Sequence, residues 1–255
     1  MNIDSAAFNL PATVKAFKGK LKRNDFQREL IHTGLIKKSE IAFERLDKHN
    51  DRPKTNAAIA AYNDYLTSCI NERNLSLKPI RCFQRVDGLT QKLRDICQES
   101  LKQQVLEYIA VEALMPLFRA KLLPVQYGSI PGRGQVLGKR KTERILRTKL
   151  KCKIAVAKGD VKKAYPSVTV ECSMTLLNRD IGKNKPLLWF VGALMENYPG
   201  DHLCIGSYLS TWLFNYVMSY VLRYAMSLAQ CRRGVRTAYV KAVVCYADDF
   251  SLFGF

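Results

Sequence analysis

The apolar run Tyr239-Val240-Lys241-Ala242-Val243-Val244 leads directly into Cys245-Tyr246-Ala247-Asp248-Asp249-Phe250. The run has the length and β-branched content of a strand, and the small and acidic residues after it have the chemistry of a tight turn. No other stretch constrains the fold as much. Two carboxylates held side by side at a strand tip repel each other unless a cation relieves the charge. Mg²⁺ is the natural guest, a hard ion that takes carboxylate and phosphate oxygens. The plainer reading is a solvated Asp-Asp turn on a hairpin, and for an isolated pair it would suffice.

A third carboxylate weighs against the plainer reading. An apolar strand over residues 154–160 delivers Asp160 to its end, 88 residues before Asp248, and Tyr165 follows five residues later. One carboxylate there and two at the later turn meet the needs of two-metal phosphoryl transfer. In that chemistry one ion activates an attacking 3′-hydroxyl and the other neutralises a triphosphate and its leaving group.

Charge points to the same kind of substrate. The 255 residues hold 41 Lys or Arg against 22 Asp or Glu, a formal net charge of +19. An anionic partner is the default for such a chain, nucleic acid before membrane surface. Between Arg119 and Lys163 there are fourteen Lys or Arg and two acids, Glu143 and Asp160, a bias local enough to read as a phosphate-contacting stripe. Eight cysteines are scattered singly (Cys69, Cys82, Cys97, Cys152, Cys172, Cys204, Cys231, Cys245), and the three histidines lie far apart. Neither a zinc site nor a disulfide framework follows from these spacings; buried, reduced thiols in a cytoplasmic protein are expected. The N-terminus lacks the apolar core of a signal peptide. Residues 205–222 carry no charge, yet they contain Ser207, Ser210, Thr211, Asn215 and Ser219 and read as a buried core helix rather than a membrane span.

Coarse organisation follows from periodicity. Phe26, Leu30 and Ile31, and then Ile59, Tyr62, Leu66 and Ile70, have helical spacing; residues 77–87 read as extended. A helix is expected over 101–118 with Leu101, Val105, Ile109 and Leu114 facing the core. A Gly/Pro-rich loop (124–135) and a basic helix (136–150) follow, then the strand to Asp160, helical stretches over 166–198 and the uncharged helix with its continuation over 206–229. A final hairpin is expected to begin near Thr237.

Five blocks resemble, in order, those of reverse transcriptases, most closely the bacterial and phage kinds related to group II introns, retrons and diversity-generating retroelements. They are Gln91-Lys92-Leu93-Arg94-Asp95-Ile96; Gln126-Tyr127-Gly128-Ser129-Ile130-Pro131-Gly132-Arg133-Gly134-Gln135; Asp160 to Tyr165; Ile205-Gly206-Ser207-Tyr208-Leu209-Ser210 with Asn215 beyond it; and Tyr246-Ala247-Asp248-Asp249. The resemblance implies an α+β right-hand polymerase, with an antiparallel palm sheet packed on helices. A helical extension (1–75), fingers (76–152) and a partial palm (153–255) are expected, with the thumb absent and the chain a fragment of a longer enzyme. It implies RNA-directed DNA polymerase activity on an RNA template, a DNA or RNA primer and dNTPs. Asp160, Asp248 and Asp249 would be catalytic and, with Val161, would hold two Mg²⁺, with Mn²⁺ as a substitute.

The same resemblance assigns the remaining positions. Lys92 and Arg94 would meet the triphosphate, a role suited to a forked guanidinium. Val161, Tyr165, Ile205 and Gly206 would line the incoming nucleotide, Tyr165 under its sugar where a 2′-hydroxyl would clash. Arg133, Gln135 and Ser210, with Lys139 and Arg140 of the basic helix, would follow the template strand. One departure is Ile205, where many members carry glutamine; an aliphatic there is expected to loosen nucleotide selection. Another is the ending Ser210-Thr211, which differs from the Ser-Gln typical of the diversity-generating group. Three other readings are weighed: a non-catalytic nucleic-acid-binding remnant or subunit, an RNA-dependent RNA polymerase, and a membrane-surface protein.

Overall fold

A computed structural model describes residues 2–18, 24–45, 52–86, 88, 91, 93–148 and 155–254. Its helical elements are α1 (Ala6–Lys18), α2 (Asn24–His32), α3 (Lys38–Arg45), α4 (Pro53–Asn71), α5 (Leu101–Lys121), α6 (Gln135–Thr148), α7 (Val170–Ile181), α8 (Lys185–Glu196) and α9 (Tyr208–Ser227). The strands are β1 (Arg81–Val86), β2 (Leu93–Gln98), β3 (Ala155–Asp160), β4 (Ala229–Arg232), β5 (Val235–Ala238), β6 (Ala242–Tyr246) and β7 (Asp249–Gly254). The class is α+β with small antiparallel sheets: hairpins β1–β2 and β4–β5, and a three-stranded sheet ordered β3-β7-β6.

Local chemistry starts the helices where the sequence offers caps. Ser100 accepts from Gln103 N–H at α5, Thr169 from Cys172 N–H at α7, Asn184 from Leu187 N–H at α8, and Ser207 from Ser210 N–H at α9. Proline at the first turn supports α4 and α8. Helix α5 runs through Pro116 to Lys121, three residues past its expected end.

Helix α5 is the hub because it is apolar nearly all round. Val105, Leu106, Ile109, Ala110, Ala113, Leu114 and Phe118 are buried. On one side it meets α9, where Phe118 stacks on Trp212 with centroids 5.4 Å apart; on others it meets α1 and α8. Leu101 is only partly buried. Helices α1 and α4 join through a polar seam, Thr13 Oγ1 donating to Asn63 Oδ1 at 2.8 Å and Asn9 Nδ2 to Thr67 Oγ1 at 3.1 Å. One hydrophobic cluster runs from Ile3 to Cys245, so residues before 76, between 76 and 148 and after 155 share a core.

The uncharged stretch is a core helix, with Leu209 to Ser219 of α9 buried almost throughout. Among the described residues no helix is long and apolar enough to cross a membrane. Two expectations need correction. Helix α9 stops at Ser227, and Thr237 belongs to a separate hairpin, β4–β5, where it pairs with Gln230. Arg233 and Gly234 turn that hairpin with φ of 51° and 79°, the two positive values that a tight two-residue connection requires. The final hairpin begins at Ala242, and its return strand already includes Asp249. The thiols also differ from expectation: Cys69, Cys204 and Cys245 are buried, but Cys82, Cys172 and Cys231 are exposed and Cys97 is half-buried. Residue 152 lies outside the described residues.

Candidate active site at the aspartate turn

The β3-β7-β6 sheet gathers the three aspartates at one end. Asp160, the last residue of β3, is the register partner of Asp249, the first of β7. One step further, Val161 N–H donates to Asp248 O at 3.2 Å. Hydrogen-bonded and non-hydrogen-bonded pairs alternate along antiparallel strands, so Asp160 and Asp249 occupy the close, non-hydrogen-bonded kind, with Cα atoms ~4.5 Å apart. Like charges directly opposite destabilise a sheet by some tenths of a kcal/mol, roughly 0.2–1 for such a pair. Asp160 and Asp249 are exposed and Asp248 is half-buried. Burial therefore leaves room for a ligand at this sheet end.

The turn itself is tight. Ala247 has a φ of 54°, a left-handed conformation that costs a non-glycine residue roughly 1–2 kcal/mol. Asp248, the other central residue, does not share the positive φ. Cys245 Sγ donates to Ala247 O at 3.3 Å, and burial pushes that thiol up to about 12.

Three neighbours fix the turn. Gly159, partner of Phe250, lies under its ring; a Cβ there would come within 2.3 Å of Phe250 Cζ. The loop after α5 adds to the free edge of β6: Cys245 N–H donates to Val125 O at 2.9 Å and Tyr127 N–H to Cys245 O at 2.8 Å. Gly128 then abuts the turn, where a Cβ would stand 2.3 Å from Ala247 N. Asn215 of α9 donates from Nδ2 to Gly128 O at 3.2 Å, and Gln126 donates from Nε2 to Asn215 O at 2.7 Å. Gly128 and Asn215 of the resemblance, together with Gly159, thus make a scaffold for the aspartate turn.

The segment 205–210 forms the N-terminal end of α9. Gly206 has a φ of 111° and lies so near β2 that a Cβ would be 2.7 Å from Cys97 O, while Cys97 N–H donates to Ile205 O at 2.9 Å. Only glycine fits that conformation and that gap. Behind it lies Glu107 of α5, fully buried and missed by sequence reasoning. Its Oε2 accepts from Ser207 Oγ at 2.8 Å and Leu209 N–H at 3.1 Å, and its Oε1 from Tyr198 OH at 3.2 Å. Ser210, expected along the template, is instead fully buried, and its hydroxyl accepts from Cys204 N–H at 3.1 Å. A buried hydroxyl so engaged shapes the turn.

The other sequence-selected residues divide. Tyr165 is half-buried, stacked on Phe214 of α9 at 5.3 Å, with its hydroxyl 3.4 Å from Thr211 Oγ1. Arg94 is exposed on β2, the register partner of Arg85; Lys92 lies outside the described residues. Arg133 is half-buried: its Nη1 donates to Leu123 O at 2.5 Å and Gln126 O at 3.1 Å, bracing the loop. Gln135, Lys139 and Arg140 are exposed on α6, whose buried residues are Gly138 and Ile145. Arg140, Lys141 and Arg144 line, with Tyr127 and Arg133, an open groove of about 410 Å³.

The carboxylate pair, the half-buried third carboxylate and the adjacent Val161 main chain suit a hard divalent ion in donor type and charge. Among the described residues no group of three or more His, Cys, Asp or Glu side chains is placed to hold a metal ion. No protein-family model matches the chain, and no curated protein matches it.

Proposed function

We propose that the protein is an RNA-directed DNA polymerase of the reverse-transcriptase kind, with fingers over residues 76–152 and a partial palm over 153–255. The observation that carries this reading is the meeting of Asp160 with Asp249, beside Asp248, at one end of an antiparallel sheet. A lone Asp-Asp turn has no reason to face a third carboxylate delivered from 88 residues away. In this reading Asp160, Asp248 and Asp249, with the Val161 main chain, hold two Mg²⁺, or Mn²⁺ in their place. When bound, those ions supply the charge that activates a primer 3′-hydroxyl and neutralises the triphosphate.

The chain's own residues do the positioning. Tyr165, stiffened by Phe214, presents an aromatic surface beside α9 against which a deoxyribose packs and a 2′-hydroxyl would clash. Gly206, lacking a side chain, lets a base pair approach the 205–207 turn. Arg94 carries positive charge on the β1–β2 hairpin for the triphosphate, and the exposed basic face of α6 follows a phosphate backbone. The 3′-hydroxyl oxygen attacks the α-phosphorus of the dNTP in line, the bond to the bridging oxygen breaks, and pyrophosphate leaves.

The α6 face also supports a second reading, a nucleic-acid-binding subunit without catalysis, since Gln135, Lys139 and Arg140 are exposed whatever the aspartates do. Primer extension by the purified chain on a defined RNA template with dNTPs and Mg²⁺ separates the two. Extension that Asp248→Ala abolishes supports the polymerase. Extension that survives Asp248→Ala refutes the aspartate assignment, and tight RNA binding without extension favours the subunit. Preference for NTPs over dNTPs would make the protein an RNA-dependent RNA polymerase instead.

A further inference from the structure

Cys82 and Cys97 face each other across the β1–β2 hairpin as register partners, with Sγ atoms 3.7 Å apart. The N–H of Cys97 donates to Ile205 O, on the side away from β1, and its carbonyl faces Gly206 on that same side. With both main-chain groups turned outward, Cys97 occupies a non-hydrogen-bonded pair with Cys82. This is the arrangement that brings Cα atoms to roughly 4.5 Å and side chains closest. That separation falls inside the ~4.4–6.8 Å that disulfides span without moving the backbone. Cys82 is exposed and open to a soluble oxidant, whereas Cys97 is half-buried behind it.

We propose that Cys82 and Cys97 are a redox modification site, a thiol pair that a peroxide converts to a cross-strand disulfide fastening the β1–β2 hairpin. Cys82, as thiolate, attacks one peroxide oxygen; the O–O bond breaks, that oxygen stays on sulfur as a sulfenic acid, and the other leaves as water with the proton Cys82 gave up. The Cys97 sulfur then attacks the Cys82 sulfur, forming the S–S bond as the S–O bond breaks, and a second water leaves with the Cys97 proton. The two sulfurs together lose two electrons and the peroxide gains two. Burial pushes the Cys97 thiol up to about 11, so the exposed Cys82 is the sulfur that meets the peroxide first.

The bridge has a structural consequence. Strand β2 is bonded along its other edge to Ile205, so joining β1 to β2 makes the hairpin and the 205–206 turn move as one body. Arg94 lies three residues before Cys97 on the same strand, so the bridge would also restrain the proposed triphosphate contact. Only that last effect rests on the polymerase reading; the disulfide does not.

The test uses the full chain, reduced, freed of reductant and treated with hydrogen peroxide, followed by alkylation and peptide mapping. Two of the eight thiols should be lost, joined as a Cys82–Cys97 linkage that dithiothreitol reverses. Cys204→Ser should leave the linkage intact and Cys82→Ser should remove it. Amide exchange in β1 and β2 should slow about tenfold in the oxidised chain. A Cys97–Cys204 linkage, a Cys82–Cys82 linkage between two chains, a Cys82 as readily alkylated after peroxide as before, or unchanged exchange would each overturn the proposal. Mapping needs no nucleic acid. A chain that forms the bridge but extends no primer therefore keeps this site and loses the polymerase reading, and the reverse result does the opposite.

Discussion

Gly128 and Ala247 touch through their backbones: a Cβ on Gly128 would lie 2.3 Å from Ala247 N and 2.9 Å from Ala247 Cα. Neither atom can swing aside, because Ala247 is held in a left-handed turn and Gly128 O accepts from buried Asn215. The loop that follows α5 and the aspartate turn thus form one unit, tied by the Tyr127–Cys245 and Cys245–Val125 hydrogen bonds.

Gly128→Ala should therefore push the turn out of place. An added methyl in a closed backbone contact costs roughly 1–3 kcal/mol, and the expected loss here is about 2 kcal/mol in urea denaturation. Gly134→Ala, at a glycine with nothing near its Cβ position and no positive φ, should stay within about 0.5 kcal/mol of the wild type. Equal losses from the two substitutions would show that the Gly128–Ala247 contact is not what matters. If the aspartates are catalytic, Gly128→Ala should lose primer extension more steeply than folded protein.

Glu107 should be one of the most costly single positions in the core. Its carboxyl accepts three hydrogen bonds in a fully buried setting, at the N-terminal end of α9 where an acceptor also meets the helix dipole. Glu107→Ala removes the acceptor of Tyr198 OH, Ser207 Oγ and Leu209 N–H at once; the two hydroxyls, 2.9 Å apart, still have each other, and the expected loss is about 3 kcal/mol. Glu107→Gln, which keeps the volume and one acceptor, should lose about half as much. Thermal denaturation of the two variants measures the split; a Glu107→Gln loss near zero beside a large Glu107→Ala loss would mean that the cavity, not the hydrogen bonding, dominates.

That residue also marks where sequence reading ran out. The aspartate turn was legible because its signals are local: an apolar strand, a small residue, two carboxylates. The uncharged helix α9 was legible for the same reason. Glu107 was not, because it is one of two acids in α5, with Glu112, and reads like a surface charge, and its partners Tyr198 and Ser207 lie 91 and 100 residues away. Ser210 shows the opposite case: a polar residue in a motif reads as exposed, whereas the helix turns it inward on Cys204 N–H. Arg133 braces its own loop through carbonyls of Leu123 and Gln126, a role that no spacing reveals. The β4–β5 hairpin did carry a usable signal, Arg233-Gly234 between short runs, obscured by the neighbouring helix.

Acid should weaken the protein through Asp180. Burial works against its charge, but hydrogen bonds from Tyr220, Tyr216 and Lys121 outweigh it and hold the carboxyl down at about 2, below its ordinary 3.8. The Lys121 Nζ stands 3.0 Å from Asp180 Oδ1, and the Asp180 side chain is 7% exposed. Since the folded state binds its proton less readily than the unfolded state, this contribution is complete above about pH 4 and is lost as pH falls toward 2. Unfolding free energy should drop by about 2 kcal/mol across that window from this group. Urea denaturation of the wild type and Asp180→Asn between pH 2 and 5 measures it. Asp180→Asn should be less stable at pH 5 and should lose this part of the slope; parallel profiles would assign the acid sensitivity to other groups.

If the protein is the polymerase proposed, Ile205 offers a test of nucleotide selection that separates chemistry from stability. What holds position 205 is its main chain, since Ile205 O accepts from Cys97 N–H, and its side chain is only half-buried. Ile205→Gln should therefore leave stability within about 1 kcal/mol of the wild type. An aliphatic side chain has no donor or acceptor for an incoming nucleotide, whereas a glutamine amide has both. One added hydrogen bond worth about 1 kcal/mol to a correctly seated nucleotide, and not to a misplaced one, changes discrimination about fivefold. On a defined RNA template, Ile205→Gln should accordingly lower misincorporation by about that factor with little change in the rate of correct addition. Misincorporation that stays at the wild-type level would mean that Ile205 does not set selectivity. Selection would then have to be sought at Tyr165, whose ring is already held against Phe214.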